Sequence, residues 1–285
     1  MILVTAATGS IGRFAVGELA RTATAFTALV RDPARGAALG APHVVGDFDD
    51  PPTLAAALAG VDRVLLNGAV GESMIRQQCA VIDAARAAGV TRIVRISAAG
   101  AGTDADRAIN RWHGAIDEHL AASGIPWLAL RPTFFTQNLL MSAASVRRTS
   151  ALHGGFGTGR LAMIDCRDIA ACAIAALTSG ASGATPLGTT PLLTGSEQVS
   201  FADVAARLSA RLGRPIAYVD HPPHELVAGM IARGMAETVA GSFGAMMASF
   251  ATGGASAITP AVAELTGVPP RTFDDFLTDN IDAFR

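Results

Sequence analysis

The first thirteen residues, MILVTAATGSIGR, constrain this chain more than any other stretch. Ile2, Leu3 and Val4 are a short apolar run without charge, as a strand buried on both faces requires. A turn of small residues follows, Thr5 to Gly12, and then a helical pattern carried by Phe14 and Leu19. Strand, small-residue turn and helix in that order make an anion cradle. The first N–H groups of a helix lack intrahelical partners, and the helix dipole favours negative charge beside them. Thr8, Gly9, Ser10, Ile11 and Gly12 are the residues expected to line it. The spacing is A-x-x-G-x-x-G, with Ala6 where the usual dinucleotide pattern has its first glycine. Because alanine resists positive φ, Ala6 is expected at negative φ. An ordinary buried strand and turn is the other reading of the stretch.

The same alternation continues along the chain. Apolar strands are expected at Ala25–Val30, Val44–Val45, Val61–Leu66, Arg92–Ile96 and Pro126–Leu130. Helices fall between them, two of them opened by an Asp-Pro pair at Asp32-Pro33 and Asp50-Pro51. The helix at about Glu72–Ala88 places Ile75, Cys79, Ile82 and Ala85 on one face. Strand and helix alternating through short loops imply a parallel, doubly wound sheet of order 3-2-1-4-5-6 that binds ligands at its carboxyl strand ends. After about residue 150 the pattern changes. A strand at Leu161–Ile164, a helix from Asp168 to Leu177 capped by Asp168, and a strand at Pro191–Leu193 are expected. Then come a helix at Phe201–Leu212, a strand at Ile216–Val219, helical sequence over Pro222–Gly254 and a last helix at Phe273–Phe284. The fold class is therefore α/β. A Rossmann-type domain over 1–150 is joined to a smaller, mostly helical substrate lobe over 151–285, with a segment near 185–195 returning to the main sheet.

Composition removes several functions. The 285 residues are 50% hydrophobic, enough for a large core, and the net charge of −2 offers no basic stripe for nucleic acid. No lysine occurs, which excludes Schiff-base catalysis through lysine and a Walker A loop. Cys79, Cys166 and Cys172 are odd in number and widely spaced, so neither a disulfide framework nor a CxxC metal site is expected. His221-Pro-Pro-His224 lacks an acidic third ligand nearby, so no metal is expected there. A G-x-S-x-G nucleophile elbow is absent. Arg233 and Glu237 interrupt the weakly polar stretch from Val227 to Gly254, which argues against a membrane span. A strand beginning at residue 2 leaves no room for a signal peptide. The expectation is a reduced, cytoplasmic, soluble protein with a small-molecule substrate and no nucleic-acid or membrane partner; a homodimer is compatible with it.

Strand tips carry the next candidates. Arg31 ends the second strand about twenty residues past the turn, where an acid selects NAD and an arginine accepts the 2′-phosphate of NADP. A solvated arginine is the alternative. Asp47 and Phe48 end the third strand and would flank adenine, Asn67 and Gly68 end the fourth, and Ser97 ends the fifth. Each is also an ordinary turn or strand-end residue.

With TAATGSIGR, LVRDPAR, GDFDD, AAGVTRIVRIS, HGAIDEHLAASGIPWLALRPTFFTQN and AMIDCRDIAACAIAAL in this order, the chain resembles the NmrA-like atypical short-chain dehydrogenase/reductase family over nearly its full length. Within it, the chain is similar to the branch of NAD(P)H-binding quinone oxidoreductases and triphenylmethane reductases. The resemblance implies a Rossmann domain, a small C-terminal lobe and a cleft between them. It also implies NADP(H) as cofactor, with Pro132, Thr133 and Phe134 beside the nicotinamide, and with Phe135 and Asn138 facing substrate. Packing and helix capping are the alternative for these last two. The wider superfamily's Tyr-x-x-x-Lys pair is missing: Ile109 stands at the tyrosine site and His113 at the lysine site. His113 is open to three readings: proton donor, cofactor contact, or structural histidine paired with Asp117. Trp112 is either pocket wall or core. Met230, Met235, Phe243, Met246, Met247 and Phe250 line an adaptable apolar pocket or are plain core. The expected activity is an NADPH-dependent reduction of a small conjugated acceptor of quinone, enone or imine type. A non-catalytic NADP(H)-sensing regulator is the alternative.

Overall fold

The computed structural model describes residues 1–178 and 185–285, and the chain divides into two units. The first comprises Met1–Pro132, Cys166–Leu193 and Ala261–Val268; the second comprises Thr133–Asp165, Thr194–Pro260 and Pro269–Arg285. The boundary expected at residue 150 thus moves to Pro132, where the sixth strand ends.

Along the first unit, β1 (Ile2–Val4), α1 (Gly12–Arg21), β2 (Phe26–Val30), α2 (Pro33–Ala38), β3 (His43–Val45) and α3 (Pro51–Leu58) alternate without interruption. β4 (Arg63–Leu66), α4 (Met74–Ala87), β5 (Arg92–Ile96), α5 (Ala108–Ala122) and β6 (Trp127–Pro132) continue the series. The second unit then begins with a 3-10 helix at Thr136–Ser142, α6 (Ala143–Thr149), β7 (Ala151–Gly154) and β8 (Arg160–Leu161). α7 (Cys166–Thr178) and β9 (Leu192–Leu193) belong to the first unit again. β10 (Val199–Ser200), α8 (Phe201–Leu212), β11 (Ala217–Asp220), α9 (Pro223–Ala232) and α10 (Glu237–Ala251) follow in the second unit. α11 (Ala261–Thr266) returns to the first, and α12 (Phe273–Asn280) closes the second.

The main sheet is parallel throughout, in the order β3-β2-β1-β4-β5-β6-β9. The expected order 3-2-1-4-5-6 holds, and the segment at Pro191–Leu193 adds the seventh strand beside β6. β1 lies between β2 and β4, with Ile2 opposite both Phe26 and Arg63. Helices cover the sheet because its strands are apolar on both faces. Leu3, Leu54, Leu58, Val64, Ile82, Ile93 and Ile116 form one buried cluster, and α7 packs on α1 and the central strands. Each fully buried leucine or isoleucine contributes about 2 kcal/mol over an exposed one. The second unit has its own core around Phe156, Phe201, Phe250 and Phe276.

Several local expectations are corrected. Asp32 caps α2 by accepting the Ala34 N–H at 2.9 Å, but Asp50 at the head of α3 makes no side-chain cap. Thr53 in the first turn instead donates its hydroxyl to the Asp50 carbonyl at 2.8 Å and accepts the Asp47 N–H at 3.0 Å. Asp168 is not a cap, because α7 already begins at Cys166 and Asp168 lies buried in its first turn. On α4 the buried positions are Met74, Gln78, Val81, Ile82 and Ala85. Ile75 and Cys79 are half-buried: the helix is rotated so that Gln78 points inward. The helical stretch after Pro222 is broken between Ala232 and Glu237, and the last helix becomes 3-10 from Ile281. β8 covers only Arg160–Leu161, with Ile164 held instead by an isolated bridge to Phe135. No helix among the described residues is long and apolar enough to cross a membrane.

Candidate cofactor and acceptor site

The turn between β1 and α1 is made by backbone. The Gly9 N–H donates to the Ala6 carbonyl at 2.9 Å, and Arg13 and Ala15 close the first helical turn onto Gly9 and Ile11. The N–H groups of Ser10, Ile11 and Gly12 meet no carbonyl among the described residues, so three donors stand at the positive end of the helix. Thr8 and Ser10 are exposed there and Gly9 is half-exposed, whereas the Ile11 side chain is buried as an anchor. Gly12 is required: a Cβ on it would stand 2.3 Å from the Ala6 carbonyl oxygen. Ala6 itself overturns the expectation of negative φ, for its φ is +47°. The closing hydrogen bond to Gly9 and the contact with Gly12 turn the Ala6 carbonyl inward, and only the left-handed region permits that.

At the next strand ends, Thr5 and Asn67 fasten β1 to β4. The Thr5 hydroxyl donates to the Asn67 carbonyl at 2.7 Å and accepts the Asn67 N–H at 2.8 Å. Asn67 Oδ1 accepts the Gly68 N–H at 2.9 Å, and Gly68 lies against Gln78. Arg31 is exposed at the end of β2 and makes no hydrogen bond or ion pair among the described residues. Asp47 uses its carboxylate locally, on the Asp49 N–H at 3.0 Å, and Phe48 packs against the first core. A pyrophosphate fits the donors of Ser10 to Gly12, and a further phosphate fits the free guanidinium of Arg31.

The helix that would carry the tyrosine and lysine holds a different assembly. Ile109, His113 and Asp117 follow one another at four-residue spacing, while Trp112, Ile116 and Leu120 face the core. Trp112 is half-buried and packs against the first core. Arg95, within β5, has a fully buried side chain. Its Nε donates to Gln78 Oε1 at 2.9 Å, its Nη1 to the Asp117 carboxylate and, at 3.3 Å, to the His113 carbonyl, and its Nη2 to His113 Nδ1 at 3.0 Å. Asp117 also accepts the Ser97 hydroxyl at 2.8 Å and Arg131 Nη2 at 3.0 Å. So His113 is paired with Arg95 and not with Asp117, and Ser97 gives its proton to Asp117.

These contacts fix the state of His113. An arginine only donates, so Nδ1 must accept, and the ring proton resides on Nε2. Burial, reinforced by the Arg95 and Arg131 charges, pushes its pKa down to about 3. At neutral pH the ring is uncharged: it can donate a hydrogen bond from Nε2 but holds no second proton to give up. Tyr218, the single tyrosine, does not replace the missing acid. Its hydroxyl donates to Asp220 Oδ1 at 2.5 Å and accepts the Phe156 N–H at 3.0 Å, and burial with the Asp220 bond raises its pKa.

In the second unit, Thr133 donates to the Ala162 carbonyl at 2.6 Å. The Phe134 ring packs edge-on to Phe156, Phe201 and Phe250 at 5.6, 6.2 and 6.2 Å. The half-buried Phe134 ring thus rests against that core; Pro132, the last residue of β6, is buried. Met247 and Phe250 are core, with Met230 and Met246 packed against it. Phe135, Asn138 and Phe243 are half-buried and outside that core. His153 Nδ1 and His221 Nε2 lie 2.8 Å apart, yet no group of three His, Cys, Asp or Glu able to hold a metal occurs among the described residues.

Arg95, Arg131 and Gln78 escape a reading by local pattern. One signal pointed to them: an arginine inside the apolar run RIVRI of a central strand needs a buried counterion, and Asp117 lies on the adjoining helix.

The NAD(P)H-binding family model matches residues 6–180. An NAD(P)H azoreductase of Xenophilus azovorans is 37% identical over 289 residues, covering 100% of this chain and 99% of that protein. Among solved structures, the NADPH-dependent quinone oxidoreductase of Escherichia coli, complexed with NADPH, superposes with a TM-score of 0.85 at 26% identity, covering 98% of this chain and 99% of that one. A Citrobacter triphenylmethane reductase complexed with NADP(H) shares the fold, with a TM-score of 0.82 at 23% identity over 98% and 99% of the two chains.

Proposed function

The chain belongs to the NAD(P)H-binding family, in its NmrA-like atypical short-chain dehydrogenase/reductase branch, and on that premise we propose that it is an NADPH-dependent reductase of small, apolar, conjugated acceptors of quinone, enone or imine type. The observation that carries the reading is the pairing of an open backbone cradle at Ser10–Gly12 with an exposed Arg31 at the next strand end that makes no hydrogen bond or ion pair among the described residues. The cradle holds the pyrophosphate and Arg31 the 2′-phosphate. The bound dihydronicotinamide supplies hydride. Asn67 and Gly68 line its path, and His113 contributes a neutral Nε2–H hydrogen bond. Since His113 holds no transferable proton at neutral pH, water supplies the proton, which suits acceptors that tolerate hydride transfer without a strong acid. In the second unit, Phe135, Asn138 and Phe243 are the residues we assign to the acceptor. The relatives named for azo and quinone reduction support this acceptor class.

Two measurements test the proposal. A panel of quinones, enones, imines and azo compounds should oxidise NADPH under the protein's catalysis; tight NADPH binding with no turnover on any of them sinks the reductase. Arg31→Asp should weaken NADPH binding by about 1.5–3 kcal/mol, the value of a hydrogen bond to a charged group, while NADH binding changes little. Equal losses for both would remove Arg31 from the site.

A dinucleotide-sensing role is favoured by one observation, that His113 holds no transferable proton at neutral pH. It predicts a partner whose affinity differs between NADP⁺ and NADPH, measured by co-precipitation at fixed cofactor ratios.

A further inference from the structure

The polar cluster at the carboxyl ends of β5 and β6 holds one more positive charge than it can neutralise. Arg95 and Arg131 share a single carboxylate, Asp117. His113, held neutral, adds no charge of either sign. Arg95 has every nitrogen engaged: Nε on Gln78, Nη1 on Asp117, Nη2 on His113. Arg131 is different. Only its Nη2 is occupied, by Asp117, and its Nε is buried without a partner. Its Nη1 meets no acceptor among the described residues and remains open to solvent, on a side chain that is 24% exposed where that of Arg95 is 0%. A partly buried guanidinium that shares its only carboxylate with a second arginine gains from an anionic acceptor at its open nitrogen, a charge-assisted bond stronger than a neutral one.

The position narrows the ligand. β6 lies three strands from β1, about 14 Å at the usual spacing of ~4.8 Å, so a pyrophosphate on α1 is out of its reach. The carboxyl end of such a strand is where a doubly wound sheet takes its ligands.

We propose that Arg131 forms an oxyanion subsite, in which Nη1 binds the acceptor oxygen that becomes negative as hydride arrives. This rests on the reductase reading above. In that step the conjugated carbon of the acceptor takes the hydrogen and its bonding pair from the dihydronicotinamide C4–H bond. The acceptor's π electrons move onto its carbonyl oxygen, and water then protonates the resulting enolate or phenolate. A fixed charge thereby does part of what the missing tyrosine would do by proton donation. Asp117 is the positioning residue that fixes the orientation of Arg131.

The probe is 4-nitrophenol, whose absorbance reports its own ionisation. Bound to the protein, it should ionise about one pH unit lower than in water, a tenfold change. Arg131→Gln should abolish the depression. Arg131→Lys should keep part of it, with weaker probe binding, because charge remains and the planar fork is lost. NADPH affinity, read by fluorescence, should stay within about twofold in both variants, since Arg131 is out of reach of the pyrophosphate at α1 that anchors the cofactor. A probe that does not bind, a bound probe with unshifted pKa, or a shift that persists in folded Arg131→Gln overturns the subsite. If Arg131→Gln does not fold, Arg131→Lys decides: unchanged probe binding there counts against the proposal and weakened binding with a retained shift supports it. The reductase reading fails separately, through an acceptor panel without turnover while the probe shift stands.

Discussion

The cradle after β1 and the cluster between β5, α5 and β6 are both placed at carboxyl strand ends, yet they are built from different material. The cradle is main chain: three N–H groups, a carbonyl turned inward at Ala6, and a glycine that must lack a Cβ. Its side chains contribute little, so it can be assembled from a dozen consecutive residues. The cluster is built almost wholly from side chains, those of Gln78, Arg95, Ser97, His113, Asp117 and Arg131, with the His113 carbonyl as its one main-chain acceptor. A backbone site binds a group common to many ligands, the phosphate. A side-chain site can be rewritten residue by residue. On the proposed assignment, cofactor binding and chemistry rest on different residues, and each can be attacked without the other.

The largest effect belongs to Arg95. Arg95→Met leaves Asp117, Gln78 and His113 buried with fewer partners, and breaking a buried pair from one side costs about 3–5 kcal/mol. Denaturant unfolding measures it. The folded fraction should still bind NADPH, because the cradle does not touch Arg95. A loss under 1 kcal/mol would show that the cluster is hydrated and its burial unimportant.

His113 gives the next effect, and its sign follows from the direction of its shift. The unfolded chain takes up a proton near 6.5, the folded one only near 3. Its contribution is therefore complete above pH 6.5 and is lost as the pH falls towards 3, by up to about 1.4 kcal/mol per pH unit. His113→Asn keeps an acceptor for Arg95 Nη2 and removes the titration. The difference between the unfolding free energies of wild type and variant should then change with that slope between about pH 6 and 4. A flat difference would mean that His113 can be protonated in the folded state.

How far each region could be read in advance follows the same division. Strand order, the cradle and Arg31 follow from contiguous sequence, since alternation and spacing are local properties. The first unit's boundary was misplaced because α7, β9 and α11, which complete it, come after the second unit has begun. Helical spacing brings Asp117 to His113 but is blind to Arg95, which arrives from a strand and takes the Nδ1. The edge-on packing of Phe134 on Phe156, Phe201 and Phe250 is likewise invisible in its local sequence. Packing of this kind is decided by partners far away in the chain.

Gly12→Ala tests the backbone side of the comparison. Its Cβ would stand 2.3 Å from the Ala6 carbonyl oxygen and 2.7 Å from the Ala7 Cα, so the turn must shift and the three N–H groups lose their common aim. NADPH affinity should fall about tenfold, or about 1.4 kcal/mol, with the pH dependence set by His113 unchanged. If affinity holds, the cradle tolerates displacement and side chains such as Arg31 carry the binding.

The smallest effect comes from Ala6, and it is the sharpest test of how the cradle is built. An L-residue held at φ +47° costs about 1 kcal/mol or more relative to a glycine there, because Cβ crowds the following carbonyl. Glycine at this position loses more chain entropy on folding, which offsets part of the gain. Ala6→Gly should thus raise the melting temperature by about 2 °C and leave NADPH affinity within about twofold, since the turn already has the conformation that glycine prefers. A lowered melting temperature would mean that Ala6 adopts negative φ, as alanine on its own prefers. The Gly9 hydrogen bond to its carbonyl would then have to be made by a different turn. A strained alanine here shows that the phosphate loop is held by its own hydrogen bonds and by Gly12, and that the usual first glycine is a convenience of this turn and not a condition for forming it.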